Sequence, residues 1–464
     1  MASARVQIAL REAVVTLSAA IATLLCARTI APGLGPAVLA VVLCISLARS
    51  GLYRARRDRI EAAIALPIVG WAAAGVGMLL HRTPWFGALI FVAAMFLSVW
   101  LRQFGSMARR AATLITLPFV VLLTTPYIPA TSQGLVPAVL VPAVIAVLAL
   151  LWVTVLYAIA RRLRFLPNTP ESRSAAPAPM TVSSLRPGAT TRMAIQMAVA
   201  LAAAFVIGYV HFAERWAWIV LTAFIVISGN RGRLDVVYKS VLRILGAAAG
   251  TILALSIGKP AGYHDTTTTA LILGAVFLAV WLRPLNYAWW ALFVTLALAL
   301  LQVFAGAPAP RILWPRVEEI AIGAVVGIAS AWFVLPVRST NALRRRIADA
   351  LTTLSDALDP ATLERTPGGF VAAVARVEEM APAFRASRLV TRRFRSLQPA
   401  DWVDALAACR DPAIARIESR ETSDSVHRAV GAARRSMRQP DEILPALRAL
   451  STALRVFDPA GRPS

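Results

Sequence analysis

Basic and polar side chains separate two apolar runs in the segment 216–250. Arg243 lies about one turn inside the second run, which begins at Val241. A cation so far inside apolar sequence is stable only when it faces protein, water or an anionic partner. Its planar guanidinium group can hold a carboxylate through two parallel hydrogen bonds. The segment therefore predicts a binding site for an organic anion, with candidate residues Trp218, Thr222, Asn230, Arg231, Arg233, Tyr238 and Arg243.

Several of these residues also have a structural interpretation. Arg231 and Arg233 can anchor the chain to lipid phosphates. The hydroxyl of Thr222 can bond to its own backbone one turn back. Trp216 and Trp218 can belong to an aromatic belt at the membrane interface instead of stacking on an aromatic ligand.

Motifs for enzymatic chemistry are absent from the sequence. It contains two lysines, neither of them in a phosphate-binding GxxxxGK[ST] motif. The three cysteines are scattered, and the histidines lack the spacing of metal ligands. We therefore expect no enzyme, no cofactor and no metal site. The four histidines are His81, His211, His264 and His427.

Composition indicates a helical membrane protein. Apolar residues make up 58% of the 464 residues, and the mean hydropathy is +0.66, well above the range of soluble proteins. The formal net charge of +24 does not predict nucleic-acid binding, because the basic residues punctuate the apolar runs and form no continuous patch. Membrane lipid is the expected surrounding.

Hydropathy predicts an all-α membrane protein with about twelve transmembrane helices. Two groups of six segments are separated by a stretch rich in Pro, Ser and Arg, which is typical of a solvated linker. The predicted spans are 12–28, 32–48, 61–80, 84–101, 111–127, 135–160, 192–212, 213–229, 241–258, 267–283, 286–305 and 317–336.

The two groups of spans are similar to each other in sequence. At an offset of 181, Phe96–Arg102 aligns with Phe277–Arg283, and six of the seven positions are identical. This similarity predicts two six-helix repeats, which are parallel because each has an even number of spans. The predicted domains are a first membrane module, a cytoplasmic linker, a second membrane module and a cytoplasmic helical domain, at 1–160, 161–191, 192–337 and 338–464.

Charge predicts the orientation of the spans. With a cytoplasmic N-terminus, the inner segments before residue 338 hold 21 basic residues, and the outer loops, which include Arg316, hold six. This bias predicts that both termini are cytoplasmic. Glu318 and Glu319 are expected at the outer start of the last span, so no carboxylate is predicted in the middle of the membrane.

Pairs of glycines four residues apart predict close contacts between helices. Gly246 and Gly250 lie on one helix face, and Gly323 and Gly327 lie on another. Glycine at such positions allows a neighbouring helix to approach closely. All four are therefore predicted helix-packing residues.

The chain becomes polar after residue 338. Leu343, Ile347, Leu351, Leu354 and Leu358 are spaced three or four apart, which predicts an amphipathic helix. Ser339 or Thr340 is the predicted cap of that helix. Further helices are predicted at 370–396, 401–435 and 441–457.

Residues 190–260 resemble the second membrane module of the fusaric acid resistance and aromatic acid exporter family. The resemblance implies a multi-pass protein of the bacterial cytoplasmic (inner) membrane that exports aromatic or other hydrophobic organic acids. A homo-oligomer or a periplasmic adaptor is a further possible partner. A passive organic-anion channel and a non-transporting scaffold with a partner-binding tail are alternatives. The residues that carry the resemblance are Arg192, Trp216, Trp218, Leu221, Thr222, Gly229–Arg233, Arg243, Gly246 and Gly250.

Overall fold

The computed structural model describes the chain from residue 2 to residue 455. It leaves out residues 125–135, 138–139, 168–187, 213–214, 258–265, 305–308, 360–365, 395–397 and 421–422. Every regular element in the described part is a helix, which confirms the all-α class. The predicted linker at 161–191 lies mostly outside the described residues.

Helices occupy the positions of all twelve predicted spans. In the first half they are α1 (Ala2–Ile30), α2 (Leu34–Ser50), α3 (Arg56–Arg82), α4 (Pro84–Trp100), α5 (Gly105–Thr124) and α6 (Val141–Arg162). In the second half they are α7 (Ala189–His211), α8 (Trp216–Ile227), α9 (Arg233–Ser256), α10 (Thr266–Leu282), α11 (Tyr287–Phe304) and α12 (Ala309–Phe333).

Six helices within the described residues are long and apolar enough to cross a membrane. They are α1, α3, α4 with the turn that follows it, α6, α7 and α9. Helices α2, α8, α10 and α11 are apolar but shorter. At about 1.5 Å per residue, the 12 residues of α8 rise about 18 Å, well short of a hydrocarbon core of about 30 Å.

Helix α8 is enclosed by protein on nearly all sides. Of its 12 residues, 11 are buried. It packs against α7 and α12, which also pack against each other. Such enclosure allows a short helix to lie at membrane depth, because its ends are shielded from lipid by protein.

The helices of the two halves make matching contacts. In the first half, α1, α2 and α6 pack together as α7, α8 and α12 do in the second. Between the halves, α4 packs on α7 and α10 packs on α1. Helix α4 of the first half corresponds to α10 of the second, and α1 corresponds to α7. The two contacts therefore join equivalent pairs of helices.

The chain divides into two compact units. The first contains the residues up to Gly229 together with Lys239–Leu335, and the second contains Asn230–Tyr238 and the chain from Pro336 onward. The segment that contains the first turns of α9 therefore groups with the polar tail.

The tail folds as a cluster of helices around its own apolar core. The five regularly spaced apolar residues of its first helix are completely buried, as their spacing predicts. Side chains from the other helices complete the core, among them Phe370, Trp402 and Leu447. The helices are α13 (Ser339–Leu358), α14 (Gly368–Glu378), α15 (Ala381–Thr391), α16 (Pro399–Ala408), α17 (Arg410–Ser419), α18 (Asp424–Ser436) and α19 (Pro440–Arg455).

Two of the predicted tail helices are wrong because each is interrupted. The predicted helix 370–396 breaks between α14 and α15, where Pro382 occupies the first turn of α15 and has no amide hydrogen to continue the preceding helix. The predicted helix 401–435 is α16, α17 and α18. Arg420, with a φ of 58°, ends α17 in the left-handed region, where backbone hydrogen bonding of the helix stops.

The predicted cap of α13 is also wrong. Ser339 is the first residue of α13, and its hydroxyl accepts a hydrogen bond at 3.0 Å from the backbone amide of Leu234, in the first turn of α9. The Val337 carbonyl accepts one at 3.2 Å from the Arg233 amide. Gly232 is required beside Ser339, because its φ is 126° and a Cβ there would lie 2.6 Å from the serine hydroxyl. The start of the tail therefore caps α9.

Candidate functional site

Helices α8 and α12 approach so closely that only glycine fits at their contact. A Cβ on Gly323 would lie 2.5 Å from the Ile219 carbonyl oxygen and 2.9 Å from Cβ of Thr222. One turn later, a Cβ on Gly327 would lie 3.1 Å from a Val226 methyl group. This contact holds Thr222 against α12.

Helices α9 and α11 meet through a second pair of glycines. A Cβ on Gly246 would lie 2.7 Å from Cβ of Ala291, and one on Gly250 would lie 2.5 Å from a backbone oxygen of α11. Arg243 precedes Gly246 by three residues, and positions three apart share a helix face. The glycine contact therefore directs Arg243 toward α11.

Arg243 is buried, with 1% of its surface exposed. Its Cζ atom lies 5.8 Å from the centre of the Trp290 ring on α11. Among the described residues, no group accepts a hydrogen bond from its Nε or Nη1 atoms. The site residue predicted from sequence thus has N–H groups available to a ligand.

Arg316 is a second buried arginine, also 1% exposed. Its Cζ atom lies 3.9 Å from the centre of the Trp218 ring, within the range of a cation–π interaction. Its Nε, Nη1 and Nη2 atoms have no acceptor in the described part of the chain. The prediction of an outer-loop position for Arg316 is wrong, because α12 begins at Ala309 and continues through Pro315.

The two arginines are close enough for the charge of Arg243 to act on Arg316. Both side chains have been removed from water, and a buried charge without an opposite charge is costly, often by about 3–5 kcal/mol. The adjacent Trp faces offset part of this cost. An anion bound between the guanidinium groups would satisfy both charges.

Buried hydroxyls lie on the same helices. The Oγ1 atoms of Thr222 on α8 and Thr295 on α11, and the Ser240 hydroxyl on α9, have no hydrogen-bond partner among the described residues. The alternative that Thr222 bonds to its own backbone is therefore wrong. A hydroxyl at this position can donate to a carboxylate.

A carboxylate also lies in α12, one turn from Arg316. Glu319 is 1% exposed, and its Oε1 atom lies 3.4 Å from Nε of the half-exposed Arg215. Its charge also acts on Arg316. The expectation that Glu319 marks the outer start of the last helix is wrong, because ten residues of α12 precede it. The two buried arginines still outnumber this one carboxylate.

The remaining predicted ligand residues belong to the second compact unit. Arg231 donates hydrogen bonds to the carbonyl (3.0 Å) and carboxylate (2.8 Å) of Glu379. Arg233 and Tyr238 are half-buried. Asn230 is buried, and its Oδ1 atom has no hydrogen-bond partner in the described part. Trp218, Thr222 and Arg243 belong to the first unit.

The two tryptophans at the start of α8 are both 6% exposed. The ring centre of Trp216 lies 5.3 Å from that of Phe205 and 5.4 Å from that of Tyr209. An interfacial belt is therefore the wrong interpretation of these rings, which are packed inside the protein. Trp218 and Trp290 instead lie against the two arginines.

Within the described residues, no three His, Cys, Asp or Glu side chains lie close enough to hold a metal ion. The charged groups around Trp218 and Trp290 are two buried arginines with a single nearby glutamate. Together with the six membrane-length helices, they define an integral membrane protein with a buried cationic site.

Residues 199–330 match the family described as fusaric acid resistance protein-like. The match confirms, over these residues, the resemblance seen in the sequence. It includes Trp218, Thr222, Arg243, Trp290 and Arg316. Comparison with curated proteins and with solved structures gives no match.

Proposed function

We propose that the protein exports aromatic or other hydrophobic organic acids, as anions, across the bacterial cytoplasmic membrane. The observation that carries this proposal is the pair of buried arginines, Arg243 and Arg316, whose guanidinium N–H groups lack acceptors in the described part of the chain. The family match supports a transport role. Such a pair is costly unless it binds an anion.

The surroundings of the pair favour an aromatic carboxylate. Each guanidinium lies against a Trp face, at 5.8 Å for Arg243 and 3.9 Å for Arg316. A flat hydrophobic acid can place its carboxylate on the N–H forks and its ring against Trp218 or Trp290. The Thr222 hydroxyl supplies one further donor. Glu319 competes with the substrate for Arg316, which weakens binding and favours release.

Two parallel six-helix repeats provide the scaffold in this proposal. The matching helix contacts in the two halves and the sequence similarity at an offset of 181 support it. Both termini are cytoplasmic in the proposed topology, which the charge bias supports. Cysteine reporters placed in 168–187 and after residue 456 should react only from the cytoplasmic side, and reaction from outside intact cells would overturn the topology.

Flux measurements on purified protein in proteoliposomes test the function. Counterflow of benzoate, 1-naphthoate and acetate should show saturable transport of the two aromatic acids and weak transport of acetate. Arg243→Lys and Arg316→Lys keep the charge but lose the planar guanidinium that binds a carboxylate through two hydrogen bonds. Each should therefore weaken apparent affinity by about 1.5–3 kcal/mol. Glu319→Gln should strengthen it, because the competing charge is removed.

Arg82→Gln is the matched control, since Arg82 is an exposed arginine at the end of α3. It should transport like the wild type when flux is normalised to inserted protein. Wild-type affinity in both lysine variants would contradict the proposed site. Transport that only follows the electrochemical gradient, with no accumulation of the acid against it, would favour an organic-anion channel. The absence of flux for all three acids would favour a scaffold.

A further inference from the structure

A cavity lies where the two halves of the membrane region meet. Its volume is about 370 Å³, large enough for a single-ring aromatic acid. The first half contributes side chains from α1, α2 and α6 and from the turn after α2, and the second half contributes α10, α11 and the turn between them. Residues that matter to its chemistry are Arg49, Tyr53, Arg54, Tyr157, Arg283 and Trp290.

The cavity is positively charged. Arg49 and Arg54 are exposed, Arg283 is half-buried, and Glu12 is its single acidic lining residue. Arg49 and Arg283 line the cavity from opposite halves, and the charge of Arg283 acts on Arg49. Neither of them forms an ion pair within the described residues. Like charges gathered around a concave surface attract anions from solution.

An aromatic wall lies beside these cations. The rings of Tyr53 and Tyr157 are 4.3 Å apart between centres, and the Tyr157 hydroxyl is hydrogen-bonded to Thr16 at 2.8 Å. Because both tyrosines are buried and Tyr157 is held by this bond, the wall is rigid. A planar hydrophobic acid can pack against it while its carboxylate faces the arginines.

Trp290 connects this cavity to the buried arginine pair. Its ring lines the cavity and also lies 5.8 Å from Cζ of Arg243. One turn earlier on α11, Tyr287 lies near Arg49, Arg283 and Arg243. Trp290 thus borders both the cavity and the buried Arg243.

We infer that this cavity is a loading site, which binds the same aromatic organic anions before they reach Arg243 and Arg316. The inference rests on the proposed function and assigns a role to the first half, which contributes Arg49, Arg54 and both tyrosines to the site. Exposed arginines capture the anion from solution, and displacement of the Trp290 ring admits it to the buried pair. The arginines of the two sites together form a positively charged path for the anion.

Protection of a cysteine in the cavity tests this inference. In a variant with Cys26, Cys44 and Cys409 changed to Ala, Ala48→Cys places a thiol in the cavity lining. Benzoate at ten times its dissociation constant should slow labelling by a methanethiosulfonate reagent about tenfold, because the rate follows the unoccupied fraction. Ile45→Cys, also in the lining, is a second reporter should the first fold poorly.

Two variants and one control separate the loading site from the buried pair. Arg49→Gln combined with Arg283→Gln should raise the benzoate concentration that half-protects the thiol, whereas Arg243→Gln should abolish flux and leave protection intact. His81→Cys, at the exposed end of α3, should be labelled at the same rate with and without benzoate.

The outcomes distinguish this inference from the proposed function. Unprotected labelling of both Ala48→Cys and Ile45→Cys, at benzoate concentrations that saturate transport, would overturn the loading site alone. Protection in a protein that carries no flux would overturn the transport function and leave an anion site. Loss of protection in Arg243→Gln would show that the two groups of arginines are a single site.

Discussion

The two halves of the membrane region place similar helices around different interiors. At an offset of 181, Trp216, Thr222, Arg243 and Gly246 of the second half align with Gly35, Val41, Ala62 and Ala65 of the first. Ala62 is completely buried in an apolar cluster with side chains of α2 and α6, whereas Arg243 is buried beside a second arginine. The helices that the two halves share form the scaffold, and the polar residues found only in the second half are the ones available for a ligand.

An apolar interior is the more stable of the two. Replacing buried charges by apolar residues of similar volume is often stabilising by about 1–4 kcal/mol. The second half therefore retains its arginines at a cost to stability, as expected for residues that act on a ligand. The first half has no such cost at the aligned position.

The largest effect is expected when an arginine is placed in the first half. Ala62→Arg would put a large cation into a completely buried position of an apolar cluster, so it should lower stability by about 3–5 kcal/mol or prevent insertion. Thermal unfolding in detergent and the amount of inserted protein measure this. Ala62→Leu separates the effect of charge from that of volume. Equal stability of Ala62→Arg and wild type would show that the halves do not differ in tolerance for charge.

The converse change should stabilise the second half. Arg243→Met fills similar volume without charge, so it should raise stability in the absence of organic anion by about 1–4 kcal/mol. It should also remove the stabilisation of about 2.7 kcal/mol that benzoate gives the wild type at 100 times its dissociation constant. Thermal unfolding with and without benzoate measures both effects. A destabilised Arg243→Met protein would indicate that Arg243 has a structural partner.

A smaller effect on stability is expected from substitutions in the helix contacts around the two interiors. Gly246→Ala would place a Cβ 2.7 Å from that of Ala291 and should cost about 1–3 kcal/mol through overpacking. The aligned residue in the first half is already alanine, and Ala65→Gly should cost only about 0.5–1 kcal/mol. Thermal unfolding of both variants compares the two contacts. An unchanged Gly246→Ala variant would mean that α9 can move away from α11 at no cost.

The features predicted correctly from the sequence are those that depend on local pattern. Hydropathy located the helices because each apolar run is continuous, and the burial of Arg243 followed from its place inside such a run. Arg316 is assigned to an outer loop by the sequence because it lies just before the predicted span 317–336, yet α12 begins at Ala309 and continues through Pro315. Membrane helices tolerate proline when neighbouring groups satisfy the freed backbone.

Features that depend on distant contacts could not be predicted from local pattern. Arg231 resembled a ligand residue, yet its hydrogen bonds go to Glu379, which is 148 residues away. Glu319 looked like a helix-end carboxylate until the full length of α12 placed it inside. Such pairings follow from the tertiary fold, and spacing in the sequence carries no signal for them.

The cap on α9 also determines when that helix can be completed during synthesis. The Ser339 hydroxyl that accepts a hydrogen bond from Leu234 is 105 residues farther along the chain. Since translation adds about 5–20 residues each second, about 5–20 seconds separate the emergence of the two partners. For that time the first turn of α9 lacks these acceptors and is prone to fray. The helix that carries Arg243 therefore reaches its final form only after the start of the tail has been made.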